Sequence, residues 1–333
     1  MKKNKSILLS AVQPTGSLTI GNYLGTLCQW EKSQKKYNCI YCIADLHSIT
    51  VKKNNKKLRK NIFDTLALYL ACGVDPENSI IFVQSHIYEH AQLNWILNCY
   101  SYFGELIRMT QFKSKSKDNK NNINIGLLNY PILMASDILL YQTNFVLVGY
   151  DQKQHLELVA NLARRFNTLY GEKIFTIPSA LLSQQGSKIM SLLDPNRKMS
   201  KSDINQRNTI FLLEKIDSIR KKIKNAVTDS EKPAKICFSK KKPGISNLLT
   251  IFSCLTGKTI SELEIEFSGK GYREFKNILS DILSNLINEL QISYFKYRKD
   301  ESYLEKIALN GALRAREHAK KTINIVHHVI GLR

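Results

Sequence analysis

In the first half of the chain four short apolar runs, Ile7 to Val12, Cys39 to Ala44, Ser79 to Val83 and Phe145 to Val148, alternate with longer stretches of helical period. Strand-length runs separated by helices pair in parallel, because each return to the sheet needs a long crossover and a helix supplies it. The pattern predicts an α/β fold, a Rossmann-like doubly wound parallel sheet, with helices from about Gly21 to Lys35, Lys57 to Ala71, His90 to Tyr100 and Gln152 to Asn167. After Ser202 the period becomes purely helical, with Phe275, Ile278, Leu279, Ile282, Leu286 and Leu290 at helical spacing, so a C-terminal helical bundle is expected. The expected domains are a Rossmann-like domain over 1–203, a helical domain over 204–300 and a last segment over 301–333. Its helix, about Glu301 to His328, packs on the bundle or returns to the sheet. Gly269 to Gly271 separates two helices of the bundle.

A chain of 333 residues that is 43% hydrophobic can bury two cores. No apolar run reaches the roughly 20 residues that span a bilayer. Met1-Lys2-Lys3-Asn4-Lys5 leads into a strand-length run with no small-residue cleavage site, so a cytoplasmic protein without membrane association is expected. The net charge of +21, from 49 Lys and Arg against 28 Asp and Glu, favours a polyanionic partner through counterion release. Lys-rich and Ile-rich usage is equally what AT-rich coding produces. Seven cysteines, mostly inside apolar segments, argue against a disulfide framework. Cys39 and Cys42 have metal spacing but no second pair, and read as buried strand residues; the seven histidines show no ligand spacing, so no protein-held metal is expected.

Gln13-Pro14-Thr15-Gly16 and Thr19-Ile20-Gly21-Asn22 follow the first strand, where open α/β sheets place their ligands. Gly21, without a Cβ, lets a flat ring approach the backbone, while the Thr19 hydroxyl and Asn22 amide can donate to phosphate oxygens. Alone, this tetrapeptide is more often a plain turn. Far downstream, Lys198-Met199-Ser200-Lys201-Ser202 lies on a segment bounded by Gly186 and Pro195. Its two ammonium groups can follow charge that develops on a leaving pyrophosphate. An exposed basic loop is the bland alternative, which Met199 between the lysines makes a poor fit.

Between these segments Tyr130, Met134 and Asp137 stand at i, i+4 and i+7, so a helix beginning near Pro131 would bring them close to one face. An aromatic wall, a thioether and a carboxylate suit a flat apolar ring with one N–H donor, since a buried carboxylate without a donor costs several kcal/mol. The alternative is an ordinary amphipathic helix with Asp137 at its surface.

Lys198 to Ser202 reproduces letter for letter the "KMSKS" signature of the class I aminoacyl-tRNA synthetases, and Ile20-Gly21 the core of their "HIGH" signature, so the chain resembles that class. Asn129 to Tyr141, followed by Val148-Gly149-Tyr150-Asp151-Gln152-Lys153-Gln154-His155, resembles the bacterial tryptophanyl-tRNA synthetase family. So do Gly104-Glu105-Leu106, Met109 to Lys113, Ala226 to Ser230 and Lys242 to Leu249, and the likeness covers nearly the whole chain.

The resemblance implies an ATP site lined by Gln13, Pro14, Thr15, Gly21, Asn22, Gly149, Tyr150, Asp151, Ile189, Lys198, Met199, Ser200, Lys201 and Ser202. It implies that Asp137 accepts the indole N–H with Met134 on the ring, that Tyr130 and Gln152 hold the amino acid's polar end, and that Lys115 reaches the triphosphate. Thr19, Asn22, Lys115, Lys198 and Lys201 are the catalytic candidates. His47 is a candidate near the amino acid, or a structural histidine. Asp151 also reads as a helix N-cap. The implied substrates are L-tryptophan, ATP with Mg²⁺ and tRNA(Trp), with no DNA partner, and the implied assembly is a homodimer whose helical domain reads the anticodon. Lys221, Lys222, Lys224 and Lys240 to Lys242 are candidate tRNA backbone contacts or simply a solvated basic face. Three positions depart from the family: Tyr150 replaces the usual Glu, and Thr19 and Asn22 replace the histidines of the first signature. The rival readings are a tyrosyl-tRNA synthetase, which shares fold and signatures, and a tRNA-binding paralogue without catalysis.

Overall fold

The computed structural model describes residues 5–50, 57–117, 123–149, 152–182, 189–201, 203–231 and 233–333. Its strands are β1 (Ile7–Val12), β2 (Asn38–Ile43), β3 (Ile80–Val83), β4 (Phe145–Val148) and β5 (Ser179–Leu182). Its helices are α1 (Ile20–Gly25), α2 (Trp30–Lys36), α3 (Asp45–Ser48), α4 (Leu58–Ala71), α5 (Glu89–Cys99), α6 (Phe103–Ile107), α7 (Thr110–Lys117), α8 (Ile125–Leu139), α9 (Lys153–Tyr170), α10 (Ile216–Asn225), α11 (Pro243–Thr256), α12 (Ile260–Glu266), α13 (Tyr272–Arg298) and α14 (Glu301–Val329). They form two units interleaved in sequence: Met1–Thr15, Glu31–Leu182 and Tyr297–Arg333 make the first, Gly16–Trp30 and Ser183–Lys296 the second. The expected boundaries at 203 and 300 differ from this division because α1 and α14 each join a unit far from their sequence neighbours.

In the first unit all five strands are parallel, in the order β3-β2-β1-β4-β5. All six residues of β2 are buried, which is why this strand reads as a continuous apolar run rather than an alternating one. Cys39 and Cys42, three positions apart, point to opposite faces of the sheet and cannot share a metal. The strand order reverses between β1 and β4, and their carboxyl ends lead into Gln13 and Gly149. Such a reversal opens the crevice where α/β sheets bind ligands. The edge strand β5, Ser-Ala-Leu-Leu, is too short and too mixed to announce itself in sequence.

α14 returns to the sheet. A Cβ on Gly311 would lie 1.6 Å from the Ile81 carbonyl oxygen, so only glycine permits this close passage over β3. Arg314 then donates to the carbonyls of Pro76 and Ser79 at 2.7 and 3.1 Å.

Two helical expectations need correction. The single helix expected from Gly21 to Lys35 is broken: Thr26, at φ −146° and ψ −55°, ends α1, and a 3-10 turn, Leu27–Gln29, precedes α2. The helix expected to begin near Pro131 begins at Ile125, where Asn124 caps it by accepting the Leu127 N–H at 2.8 Å, and Pro131 lies inside α8.

In the second unit Phe252, Phe267 and Phe275, from α11, the end of α12 and α13, meet with ring centroids 4.9 to 5.6 Å apart. Gly244, at the start of α11, runs so close to Val227 that a Cβ would lie 2.2 Å from its carbonyl oxygen. Two of the sequence motifs, Ala226 to Ser230 and Lys242 to Leu249, are thus the two sides of one packing contact.

Candidate active site

Asp137 projects from α8 into the first unit, 3% exposed, and three donors reach it among the described residues. Gln84 Nε2 and the His90 ring Nδ1 lie 2.6 and 2.7 Å from Oδ1, and His47 Nε2 lies 2.8 Å from Oδ2. The topology makes this convergence. His47 sits on α3 directly after β2, Gln84 begins the turn directly after β3, and His90 lies on the first turn of α5. Asp45 joins the two strand ends by accepting the N–H groups of Leu46 and Ser85 at 3.1 and 3.0 Å. Gln84 Oε1 accepts the Leu46 N–H at 3.1 Å, which fixes the amide so that its nitrogen faces Asp137.

Burial pushes the Asp137 carboxyl up, but hydrogen bonds from His47 and His90 and their charge outweigh it and hold the group well below the usual carboxylate range. An ionised carboxylate offers about four acceptor positions. Oδ1 has two donors and Oδ2 one, so one acceptor position on Oδ2 is not taken by a donor among the described residues.

The other candidates of this unit are placed around the carboxyl ends of the strands. Tyr130, 8% exposed, meets His155 Nε2 through its hydroxyl at 2.7 Å, and burial pushes its phenol up. Half-buried Met134 lies one turn before Asp137 on α8. His47 and the Tyr130 ring meet edge to face at 6.3 Å. Gln13 is exposed, Pro14 buried, and Thr15 and Gly149 half-buried. Gln152 occupies the N-cap position of α9 and donates its backbone N–H to the Gly149 carbonyl at 3.0 Å. Tyr150 and Asp151, and with them the cap expected at Asp151, lie outside the described residues. Gln154 receives both the N–H and the hydroxyl of Thr110, at 2.9 and 2.8 Å, tying α9 to α7, the helix that carries Lys115. The Lys115 side chain lies outside the described residues.

In the second unit Thr19 and Asn22 form a capping box. Asn22 Oδ1 accepts the Thr19 N–H at 2.9 Å and its hydroxyl at 3.0 Å, while Thr19 Oγ1 accepts the Asn22 N–H at 3.3 Å. Thr19 is 4% exposed and its hydroxyl proton is engaged in the cap, so of this pair the Asn22 amide nitrogen is the better phosphate donor. A Cβ on Gly21 would meet only ordinary contacts, 3.5 Å from Thr19 Oγ1 and 3.7 Å from Ile189 Cβ, and its φ is not positive. The fold itself therefore places no demand for glycine there.

The segment from Lys198 to Lys201 hangs on one buried residue. Met199 is 7% exposed and donates its N–H to the Ile189 carbonyl at 3.0 Å, while Lys198, Ser200 and Lys201 are exposed. Lys198 bridges Met190 in antiparallel fashion, and Asn247 of α11, 5% exposed, grips Met190 at both its N–H and its carbonyl, at 2.8 and 2.9 Å. Thr209 donates its hydroxyl to the Ser200 carbonyl at 2.8 Å. Ile189 is 2% exposed, and Ser202 lies outside the described residues. Asn247 and Thr209 were not singled out by sequence, although Asn247 stands in the Lys242 to Leu249 motif.

Two of the basic candidates serve the fold instead. The Lys222 ammonium donates to Glu214 at 2.5 Å and to the Thr209 carbonyl at 2.7 Å, and Lys242 pairs with Glu231 and, at 3.7 Å, with Asp229. Lys221 and Lys224 remain with Arg220 and Lys276 around a cavity of about 300 Å³. Among the described residues no three His, Cys, Asp or Glu side chains converge as a metal site.

The model of the family "tRNA synthetases class I (W and Y)" matches residues 1–288. The chain is 62% identical over 334 residues to the tryptophan–tRNA ligase of Buchnera aphidicola subsp. Schizaphis graminum, covering 99% of each. Among solved structures it is similar to the tryptophanyl-tRNA synthetase of Mycoplasma pneumoniae, with a TM-score of 0.90 at 36% identity, covering 99% of this chain and 98% of that one. It is also similar to the Campylobacter jejuni tryptophanyl-tRNA synthetase complexed with ADP and tryptophan, with a TM-score of 0.81 at 32% identity, covering 98% and 100%. With the Asp137 cluster and the intact Lys198 to Lys201 segment, these likenesses establish that the chain belongs to the class I tRNA synthetases for tryptophan and tyrosine, in the bacterial tryptophanyl-tRNA synthetase branch.

Proposed function

We propose that this tryptophan–tRNA ligase recognises its amino acid through the one open acceptor position of Asp137, and that this observation carries the specificity. A buried carboxylate with three donors in place accepts one more N–H at no cost in reorganisation, and tryptophan presents one on its ring. Met134 and the Tyr130 ring supply apolar surface, and Tyr130, Gln152 and His47 are assigned to the amino acid with them. The solved relative from Campylobacter jejuni, complexed with ADP and tryptophan, supports both ligands.

The tryptophan carboxylate attacks the α-phosphorus of ATP. A carboxylate oxygen–phosphorus bond forms, the bond to the β-phosphate oxygen breaks, and pyrophosphate leaves. A hydroxyl of the tRNA's terminal ribose, the 2′ group by family likeness, then attacks the acyl carbon and AMP departs. No protein nucleophile is needed, so the protein contributes positioning and charge. Mg²⁺ enters with ATP as part of the nucleotide substrate and is bound chiefly by phosphates and water. Gln13, Pro14, Thr15, Gly149, Tyr150 and Asp151 are assigned to ATP, as are Gly21, Asn22, Ile189 and Lys198 to Ser202. Lys198 and Lys201 are assigned to the triphosphate, as is Lys115.

We assign tRNA(Trp) anticodon recognition to the helices within 204–300, where Lys221 and Lys224 offer cations to its backbone. Tyr88, Trp95, Tyr102 and Phe103, each at least 60% exposed, support a homodimer, and the absence of a long apolar helix among the described residues fits a cytoplasmic enzyme. ATP–pyrophosphate exchange with tryptophan, tyrosine and phenylalanine offered separately tests the reading. Exchange with tryptophan alone is expected, and exchange with tyrosine would overturn the pocket assignment.

A further inference from the structure

We propose that His90 is the positioning residue that aims the Asp137 carboxylate, so that only Oδ2 is presented to the ligand. The inference rests on Asp137 being the indole acceptor. His90 has 0% exposure and is bound at both ring nitrogens. Nδ1 lies 2.7 Å from Asp137 Oδ1 and must donate, since an ionised carboxylate only accepts. Nε2 lies 2.7 Å from the Tyr141 hydroxyl, which can donate or accept and so serves the ring in either protonation state. The rings of Phe82 and Tyr141 flank the imidazole at centroid distances of 5.8 and 5.6 Å.

With Gln84 as its companion, His90 fills both acceptor positions of Oδ1. A ligand N–H can then be taken only by Oδ2, beside His47. Without His90, the carboxylate could rotate and offer Oδ1 as well, and recognition would lose both its direction and part of its charge stabilisation. The helix bearing His90 is anchored in turn, since its first residue, Glu89, is 1% exposed and accepts from Arg316 Nε of α14 at 2.9 Å. His90 acts on the substrate only through Asp137.

Two substitutions separate positioning from mere core filling. In His90→Asn the side-chain amide nitrogen stands near the place of Nδ1 and can still donate to Asp137. In His90→Gln it stands near Nε2, keeps Tyr141 company and leaves Asp137 one donor short. His90→Gln is expected to raise the KM for tryptophan at least about tenfold, with the KM for ATP and the saturated exchange rate within about threefold. It should also erode the preference for tryptophan over the analogue whose ring N–H is replaced by sulfur. His90→Asn should lose only a few-fold in either measure. Equal effects of the two substitutions, or a wild-type KM in His90→Gln, would overturn the inference. Wild-type enzyme that uses the sulfur analogue as well as tryptophan would instead sink the Asp137 reading itself. If His90→Gln fails to fold, Tyr141→Phe carries the test: a several-fold rise in the tryptophan KM supports the positioning role, and an unchanged KM refutes it.

Discussion

Under the proposed function, the surroundings of Asp137 and the segment from Lys198 to Lys201 solve opposite problems with opposite means. Asp137 is a buried charge whose partners come from three separate elements, and it is bonded on both oxygens. Lys198 and Lys201 are exposed charges on a short stretch held by the buried Met199 and by the grip of Asn247 on Met190. Recognition of a neutral ring needs a fixed acceptor, because discrimination comes from polar groups that a wrong ligand leaves unpaired. Stabilising charge that grows on a departing pyrophosphate needs cations in reach of solvent-borne phosphates. The difference teaches that the two regions should fail differently: the first in affinity and selectivity for tryptophan, the second in the rate of adenylate formation.

The sharpest break is Asp137→Asn. It removes the charge while keeping the shape, and should lower kcat/KM for tryptophan by about 10²- to 10³-fold with the KM for ATP moved by less than about threefold. Pyrophosphate exchange at varied tryptophan and ATP measures both, and an equal loss toward ATP would erase the contrast between the regions. Next is Lys201→Ala, expected to slow single-turnover adenylate formation about 10²-fold while tryptophan binding, followed by equilibrium titration, stays within about twofold. A normal rate would remove this lysine from the chemistry. A smaller effect, about tenfold on the same rate, is expected for Asn247→Ala, which unties Met190 without touching either lysine; unchanged kinetics would mean that Met199 and Thr209 hold the segment without it.

The mildest test is of pH. Burial raises the Asp137 carboxyl, but the histidine hydrogen bonds and charge hold it below its ordinary value. Its folded pKa is thus lower than its unfolded one, so the stability it contributes is complete above about pH 4 and is lost as pH falls through the folded value. The gap in urea stability between wild type and Asp137→Asn should therefore narrow as pH falls below about pH 4. A gap that persists unchanged in acid would show that the carboxylate is not held low.

Much of the sheet was legible, because β1 and β4 are apolar runs of strand length and coincide with the expected Ile7 to Val12 and Phe145 to Val148. β5 was not, since four residues carry no period. In α8 the proline suggested a start, yet the Asn124 cap and the apolar residues ahead of Pro131 carry the helix six residues earlier. Lys222 and Lys242 looked like surface charge, and only the carboxylates folded against them show otherwise. His90 and Gln84 left no local signal, because neither lies near Asp137 in sequence and neither forms a spacing with it.

By itself the sequence determined the parallel α/β class and the helical character beyond Ser202. These are written in local period and in contiguous motifs, which neighbouring residues enforce on one another. The tertiary structure alone decided that α14 lies on β3 across Gly311, and that His47, Gln84 and His90 close on one carboxylate. Those are meetings of groups tens of residues apart, brought about by burying apolar surface and satisfying buried polar atoms, and no local pattern encodes them.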